Sequence, residues 1–300
     1  MAKIQVRNFP DDVYARIAQA AADKERSIEG EVRYALMQAY PERQPATLSL
    51  RERWQRETAG RLQHLIAQLD TDGFWPRRTP GSVLLLARLI RHDTPAYLMD
   101  CLDGAAPLSF DAAQRLAADT GCSADWLVDG KGDMFPVHDL SHYHEFFQPE
   151  RSGNYRFHLI RLGKEPGLKP LFCIRHNRAD NSYAMGQVMG HFYLGEGMGS
   201  GGMGNLMRFL QYLKKHSWRL SLESYIWDEE DHETGGHHPC FYLDSEHLRE
   251  SSWLEHMLTG SAPAWISGFS WHLDQLKNTP YGQREPAQDQ PDEAKPAPEP

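Results

Sequence analysis

The chain has 300 residues, 40% hydrophobic and 24% charged, which suits about two domains at the usual ~100–200 residues each and excludes disorder throughout. Its formal net charge is −9 and no segment has a basic excess, so nucleic acid would have to be held by a few placed cations and not by a bulk field. Short apolar runs, an opening MAKIQVRNFP without an apolar signal core, and four scattered cysteines without a CxxC pair argue against membrane insertion, secretion, a disulfide framework and a zinc finger; the expected location is the reducing cytoplasm.

Residues 3–9 alternate, with Lys3, Gln5 and Arg7 on one side and Ile4 and Val6 on the other, the period of a strand with one apolar face. Pro10 stops it, and Asp11 and Asp12 supply the acid that a helix favours in its first turn. Val13, Ile17, Ala20 and Ala21 share a face of that helix. Ser27 is a natural N-cap for a second helix carrying Ile28, Val32, Ala35, Leu36 and Ala39. Prolines 41 and 45 then read as a linker. One strand and two short helices cannot form a stable monomer, because the strand has no partner. Two copies pairing their strands antiparallel would resolve this, so a homodimer is expected.

The run VRNFPDDVYARIAQAAADKERSIEGEVRYAL resembles the ribbon-helix-helix proteins of the Arc/MetJ superfamily, most closely the FitA-like branch. The matching positions are Val6, Arg7, Asn8, Phe9, Arg26, Ser27, Glu29, Glu31, Val32 and Arg33. The resemblance implies a two-stranded ribbon in the DNA major groove, with Lys3, Gln5 and Arg7 at the base edges. It also implies that the start of the second helix, Ser27 and Ile28, presents backbone N–H groups to a phosphate, with Arg26 beside it.

Residues 47–75 read as one long helix bearing Arg51, Arg53, Arg56 and Arg61, and these fit a solvated face better than a phosphate grip. Further helices are expected over 82–91, from the Thr94–Pro95 pair to Leu102, from Ser109 to Gly121 and from Ser123 to Gly130. The stretch 86–132 resembles the lambda-repressor-like (XRE-type) helix-turn-helix domain at Leu86, Ala87, Gly104, Pro107, Leu116, Ala117 and the closing Gly121, Cys122, Ser123, Asp125, Trp126 and Leu127. By that resemblance residues 94–103 are the recognition helix, with Thr94, Ala96 and Tyr97 nearest the bases. The helix departs from the pattern in carrying Asp100 and Asp103 and no cation; Arg77, Arg78, Arg88 and Arg91 are left to hold the backbone, and a packing scaffold without base readout is the alternative.

Residues 155–278 hold five of the eight tryptophans. Strands are expected over 156–162, 171–175, 183–194, 220–227 and 240–243, and helices over 206–216 and 246–258. The glycine-rich GEGMGSGGMG at 195–204 lacks P-loop and dinucleotide-fold spacing and reads as a flexible loop. Asp231, His232, His237, His238 and Cys240 lie in one acidic loop, but their spacing fits no structural zinc site, so no metal is expected. The last residues, with six prolines from 279 onward, read as a tail.

The expected organisation is multidomain: a dimeric ribbon-helix-helix domain of one strand and two helices at 1–46, an all-α helix-turn-helix-like domain at 47–137, an α+β domain at 138–278 and a disordered Pro-rich acidic tail at 279–300. The expected function is that of a sequence-specific transcriptional regulator, a homodimer on double-stranded DNA with an inverted-repeat (palindromic) operator. No cofactor, catalytic residue or membrane partner is expected, and the C-terminal domain is assigned a protein or small-molecule partner. The alternatives are an antitoxin-like autoregulator whose C-terminal domain binds a toxin, and a DNA-tethered enzyme.

Overall fold

The computed structural model describes residues 8, 10–40, 48–75, 82–148, 154–229, 234–263, 265–266 and 270–283. Apart from Asn8, the strand read at 3–9 lies outside them, as do Lys3, Gln5 and Arg7, the linker prolines, Arg77, Arg78, Asp231 and His232. The chain divides into two compact units, Met1–Arg51 and Glu52–Pro300.

In the first unit α1 (Asp11–Asp23) starts directly after Pro10, with Asp11 and Asp12 in its first turn. α2 (Ile28–Ala39) is capped by Ser27, whose Oγ accepts from the Gly30 N–H at 3.0 Å. Both helices follow the sequence pattern closely. Their apolar face is another matter: Ala21 is the buried hydrophobic residue among those described here, while Tyr14, Tyr34, Leu36, Met37 and Tyr40 are exposed.

The second unit holds most of α3 (Leu50–Thr71), then α4 (Ser82–Leu89), α5 (Ala96–Leu102), α6 (Phe110–Thr120) and α7 (Ala124–Asp129). Ser109 and Ser123 cap α6 and α7 by accepting from the N–H groups of Ala112 and Trp126, both at 3.1 Å. Gly121 and Gly130 end these helices at φ 71° and 76°, a conformation other residues reach only with strain.

Six strands follow: β1 (Val137–Asp139), β2 (Tyr155–Leu162), β3 (Leu171–Asn177), β4 (Ser182–Gln187), β5 (Ser221–Trp227) and β6 (Leu248–Glu250). They form one mixed sheet in the order β1-β4-β3-β2-β5-β6. β1 runs parallel to β4 and β2 parallel to β5, and the other pairs are antiparallel. The remaining helices are α8 (Tyr143–Phe147), α9 (Ser200–His216), α10 (Pro239–Leu243), α11 (Trp253–Thr259) and α12 (Ser270–Asn278).

Because side chains alternate along a strand, the sheet buries both faces. Phe157, Leu159, Leu171 and Cys173 meet α8, α9, α11 and α12 on one side. Ile160, Leu162, Phe172, Ile174, Met185 and Trp227 meet Tyr242 of α10 and share a single core with Leu62, Leu65, Leu69, Leu86, Leu98, Leu116 and Leu127 of the N-terminal helices. The division drawn at residue 137 from sequence falls inside this continuous core.

Several local expectations need correction. Residues 240–243 are helical, since His238 accepts the Cys240 N–H at 3.2 Å and Pro239 occupies the first helical position, which proline's fixed φ suits. The stretch 246–258 is β6 followed by α11, and not one helix. The glycine-rich segment read as a loop contributes Ser200 to Gly204 to the first turns of α9, with Gly199 as N-cap. No helix among the described residues is long and apolar enough to cross a membrane.

Candidate nucleic-acid interface

Three of the residues singled out from sequence lie at the start of α2. Arg26, Ser27 and Ile28 are all exposed, and the Ser27 cap leaves further N–H groups of the first turn pointing outward. The neighbourhood is not purely cationic. The Glu31 carboxylate is buried beneath it, where Lys24 Nζ meets Oε1 at 2.5 Å and Arg26 Nη1 meets Oε2 at 3.3 Å. The Lys24 hydrogen bond foremost holds Glu31 below the usual carboxylate range, against an opposing effect of desolvation. Arg26 also lies over the Tyr34 ring, 4.2 Å from its centroid. Glu31 and Tyr34 thus fix the direction of Arg26, which keeps part of its guanidinium surface in solvent.

The helix-turn-helix candidates lie at the head of α5. Thr94 and Ala96 are exposed. Tyr97 is half-buried and bonded within the protein: its hydroxyl donates to Pro107 O at 3.1 Å and accepts from the Ser109 N–H at 2.7 Å. Its ring stacks on His92 with centroids 4.5 Å apart. Tyr97 would have to give up both hydrogen bonds to reach a base. Met99 and Asp100 of the same helix and its C-cap Asp103 are exposed, as are Arg88 and Arg91 before it in the chain. Of the α3 arginines, Arg51, Arg53 and Arg56 are exposed, whereas Arg61 donates to Leu127 O and Val128 O at 2.9 and 2.8 Å and is structural.

The histidine-rich loop disperses its ligand candidates. His237 Nδ1 lies 2.7 Å from Asp72 Oδ1 at the end of α3, and the other Asp72 oxygen accepts the His238 N–H at 2.6 Å. The His238 ring is the α10 cap, and the Cys240 thiol is half-buried. Burial pushes that thiol up to about 11, so it is not a thiolate at neutral pH. Among the described residues no group of three or more His, Cys, Asp or Glu side chains could hold a metal ion. The Asp72 bridge between α3 and the 234–238 segment was not foreseen, since nothing in the spacing joins residues so far apart in the chain.

Residues 2–40 match the family model described as antitoxin FitA-like, ribbon-helix-helix. A ribbon-helix-helix domain therefore stands at this end of the chain, and α1 and α2 are its two helices. No curated protein and no solved structure matches the chain.

Proposed function

We propose that the protein is a sequence-specific DNA-binding regulator that acts as a homodimer on an inverted-repeat operator. The ribbon-helix-helix match at residues 2–40 carries this reading. The apolar surface of α1 and α2, with Leu36, Met37 and Tyr40 exposed, supports it, because a helix face of that kind needs cover from another surface. In this reading Lys3, Gln5 and Arg7 of two paired strands meet base edges, and Arg26 and the N–H groups after Ser27 hold a phosphate. Thr94, Ala96 and Tyr97 are the corresponding proposal for a second contact through a lambda-repressor-like segment. The exposed Asp100 and Asp103 favour its scaffold alternative. The role assigned is binding and not catalysis, in the cytoplasm.

The test is fluorescence anisotropy with duplexes taken from upstream of the protein's own coding region and with scrambled duplexes, at several salt concentrations. Arg7→Ala should cost about 1–3 kcal/mol of specific binding, the scale of one bidentate base contact. Gln5→Ala should relax sequence preference without changing the salt slope, since a neutral amide displaces no counterion. Arg7→Ala binding both duplexes as the parent does would overturn the reading.

A second reading, an antitoxin that also regulates its own expression, is favoured by the description of the matching family. It requires a toxin partner for the rest of the chain. Affinity purification from the native host, with and without residues 52–300, separates the two: a stoichiometric small protein retained through that region supports the antitoxin.

A further inference from the structure

The sheet face beneath α10 is apolar over most of its extent and polar at one end. There β2, β3, β4 and β5 bring Arg156 opposite His176, His176 opposite Tyr183, and His158 opposite Glu223. Cys240, Leu243 and Asp244 close over these residues and leave a cavity of about 220 Å³.

The polar groups around this cavity are not matched to one another. His158 is only 6% exposed, yet among the described residues neither ring nitrogen has a hydrogen-bond partner. Its Nδ1 lies 3.3 Å from Glu223 Oε2 without the alignment of a hydrogen bond. That carboxylate is already engaged by Arg156 Nη1 at 3.2 Å and by the Tyr225 hydroxyl, which donates to it at 2.8 Å. Arg156 Nε is also buried without a partner among the described residues. Arg178 and Asp244 line the same space, both exposed, and neither has an ion-pair partner among the described residues.

Unpartnered buried polar atoms are costly and rare in folded proteins, and a cluster of them around a cavity marks a place where another polar group belongs. Burial pushes His158 down to about 4, so at neutral pH it offers one N–H and one lone pair and no charge. Arg156 Nε and Arg178 are donors suited to a carboxylate or phosphate, while Asp244 accepts from an N–H or O–H. The volume is below the ~300–1,000 Å³ of drug-sized pockets, which limits the occupant to the size of a simple metabolite.

We propose that this cavity binds a small polar molecule that carries a carboxylate or phosphate group together with a hydrogen-bond donor. Arg156 and Arg178 hold its anionic group, Asp244 takes its donor, and His158 completes its hydrogen bonds inside the cavity. The inference goes beyond the DNA-binding reading, and its test uses no DNA.

The experiment follows the His158 ring resonances of the full chain by NMR during titration with inorganic phosphate, acetate or glycine at constant ionic strength. Phosphate and acetate distinguish the two kinds of anion, and glycine adds a donor to the carboxylate. Saturable shifts at millimolar concentration are expected for at least one probe. Arg178→Ala, at an exposed position that leaves the core untouched, should weaken that probe about tenfold, as loss of a charge-assisted contact does. Shifts that stay linear for all three probes, or a saturating probe that binds Arg178→Ala as tightly as the parent, would overturn the proposal.

Discussion

Acidification from pH 7 to pH 5 should destabilise the second unit through two buried histidines. His238 is 1% exposed, its Nδ1 lone pair accepts the Cys240 N–H, and the rings of Phe74, Phe135 and Tyr183 meet it edge-on at 4.8, 5.5 and 5.5 Å. Burial pushes it down to about 4, the same value to which burial pushes His158. In the unfolded chain each titrates near the ordinary histidine value of 6.5. Between those values the unfolded state binds more protons, so stability is present above pH 6.5 and is lost as pH falls toward 4. At pH 5 the linkage relation gives about 2 kcal/mol per group, or about 4 kcal/mol for both. Asp139 and Asp180, held low by the Ser141 and Ser182 hydrogen bonds, and Asp228, held low by Arg249 and His247, lose their contributions only further down. Urea unfolding followed by tryptophan fluorescence isolates the effect. All eight tryptophans lie beyond residue 51, and Trp227 and Trp253 are buried in this unit. His238→Asn keeps a side-chain oxygen for the cap without a titrating ring, and combined with His158→Gln it should flatten the pH dependence. A parent protein that loses less than about 1 kcal/mol between pH 7 and 5, or a double variant that loses as much as the parent, would refute the reasoning.

Two further outcomes follow from particular contacts. A Cβ at Gly186 in β4 would stand 2.6 Å from Leu140 Cδ2, so Gly186→Ala should cost about 1–3 kcal/mol by overpacking, and adding Leu140→Ala should relieve the clash while opening a cavity elsewhere; additive losses in a urea double-mutant cycle would contradict this. Tyr97→Phe should cost about 0.5–1.5 kcal/mol in urea unfolding through the lost hydrogen bonds to Pro107 and Ser109, whereas Ala96→Glu should leave stability unchanged and shrink a DNase footprint only where α5 meets DNA.

What the sequence revealed about the fold depended on how local the signal was. Serine caps and glycine terminators lie within one helix of the residues they serve, so Ser27, Ser109, Ser123, Gly121 and Gly130 could be placed before any tertiary contact was known. The strands β2, β3 and β5 are runs rich in apolar and aromatic residues, and were legible as such. The misread segments have local signals that compete. In 240–243 the β-prone Phe241 and Tyr242 outweighed the proline at the helix start, and in 200–204 the glycines suggested a loop although the α9 core residues Leu206, Met207 and Leu210 begin just after them. The three-residue strands β1 and β6 owe their existence to pairing with β4 and β5 and carry no pattern of their own.

Candidate site residues divide along the same line, and the division explains why the start of α2 was legible while the cavity under α10 was not. Arg26, Ser27 and Glu31 sit within six positions of one another, where a capping serine and paired charges form a contiguous signature that sequence alone carries. Arg156, His158, Glu223 and Asp244 come together only through the parallel pairing of β2 with β5 and the placement of α10. In the sequence His158 is one histidine among fifteen, in a strand where a buried imidazole and a solvated one look the same. Burial, and the neighbours that fail to satisfy it, distinguish it from the others. A site assembled by strand register needs the register before its chemistry can be read, whereas a site built on a helix start is already written in adjacent residues.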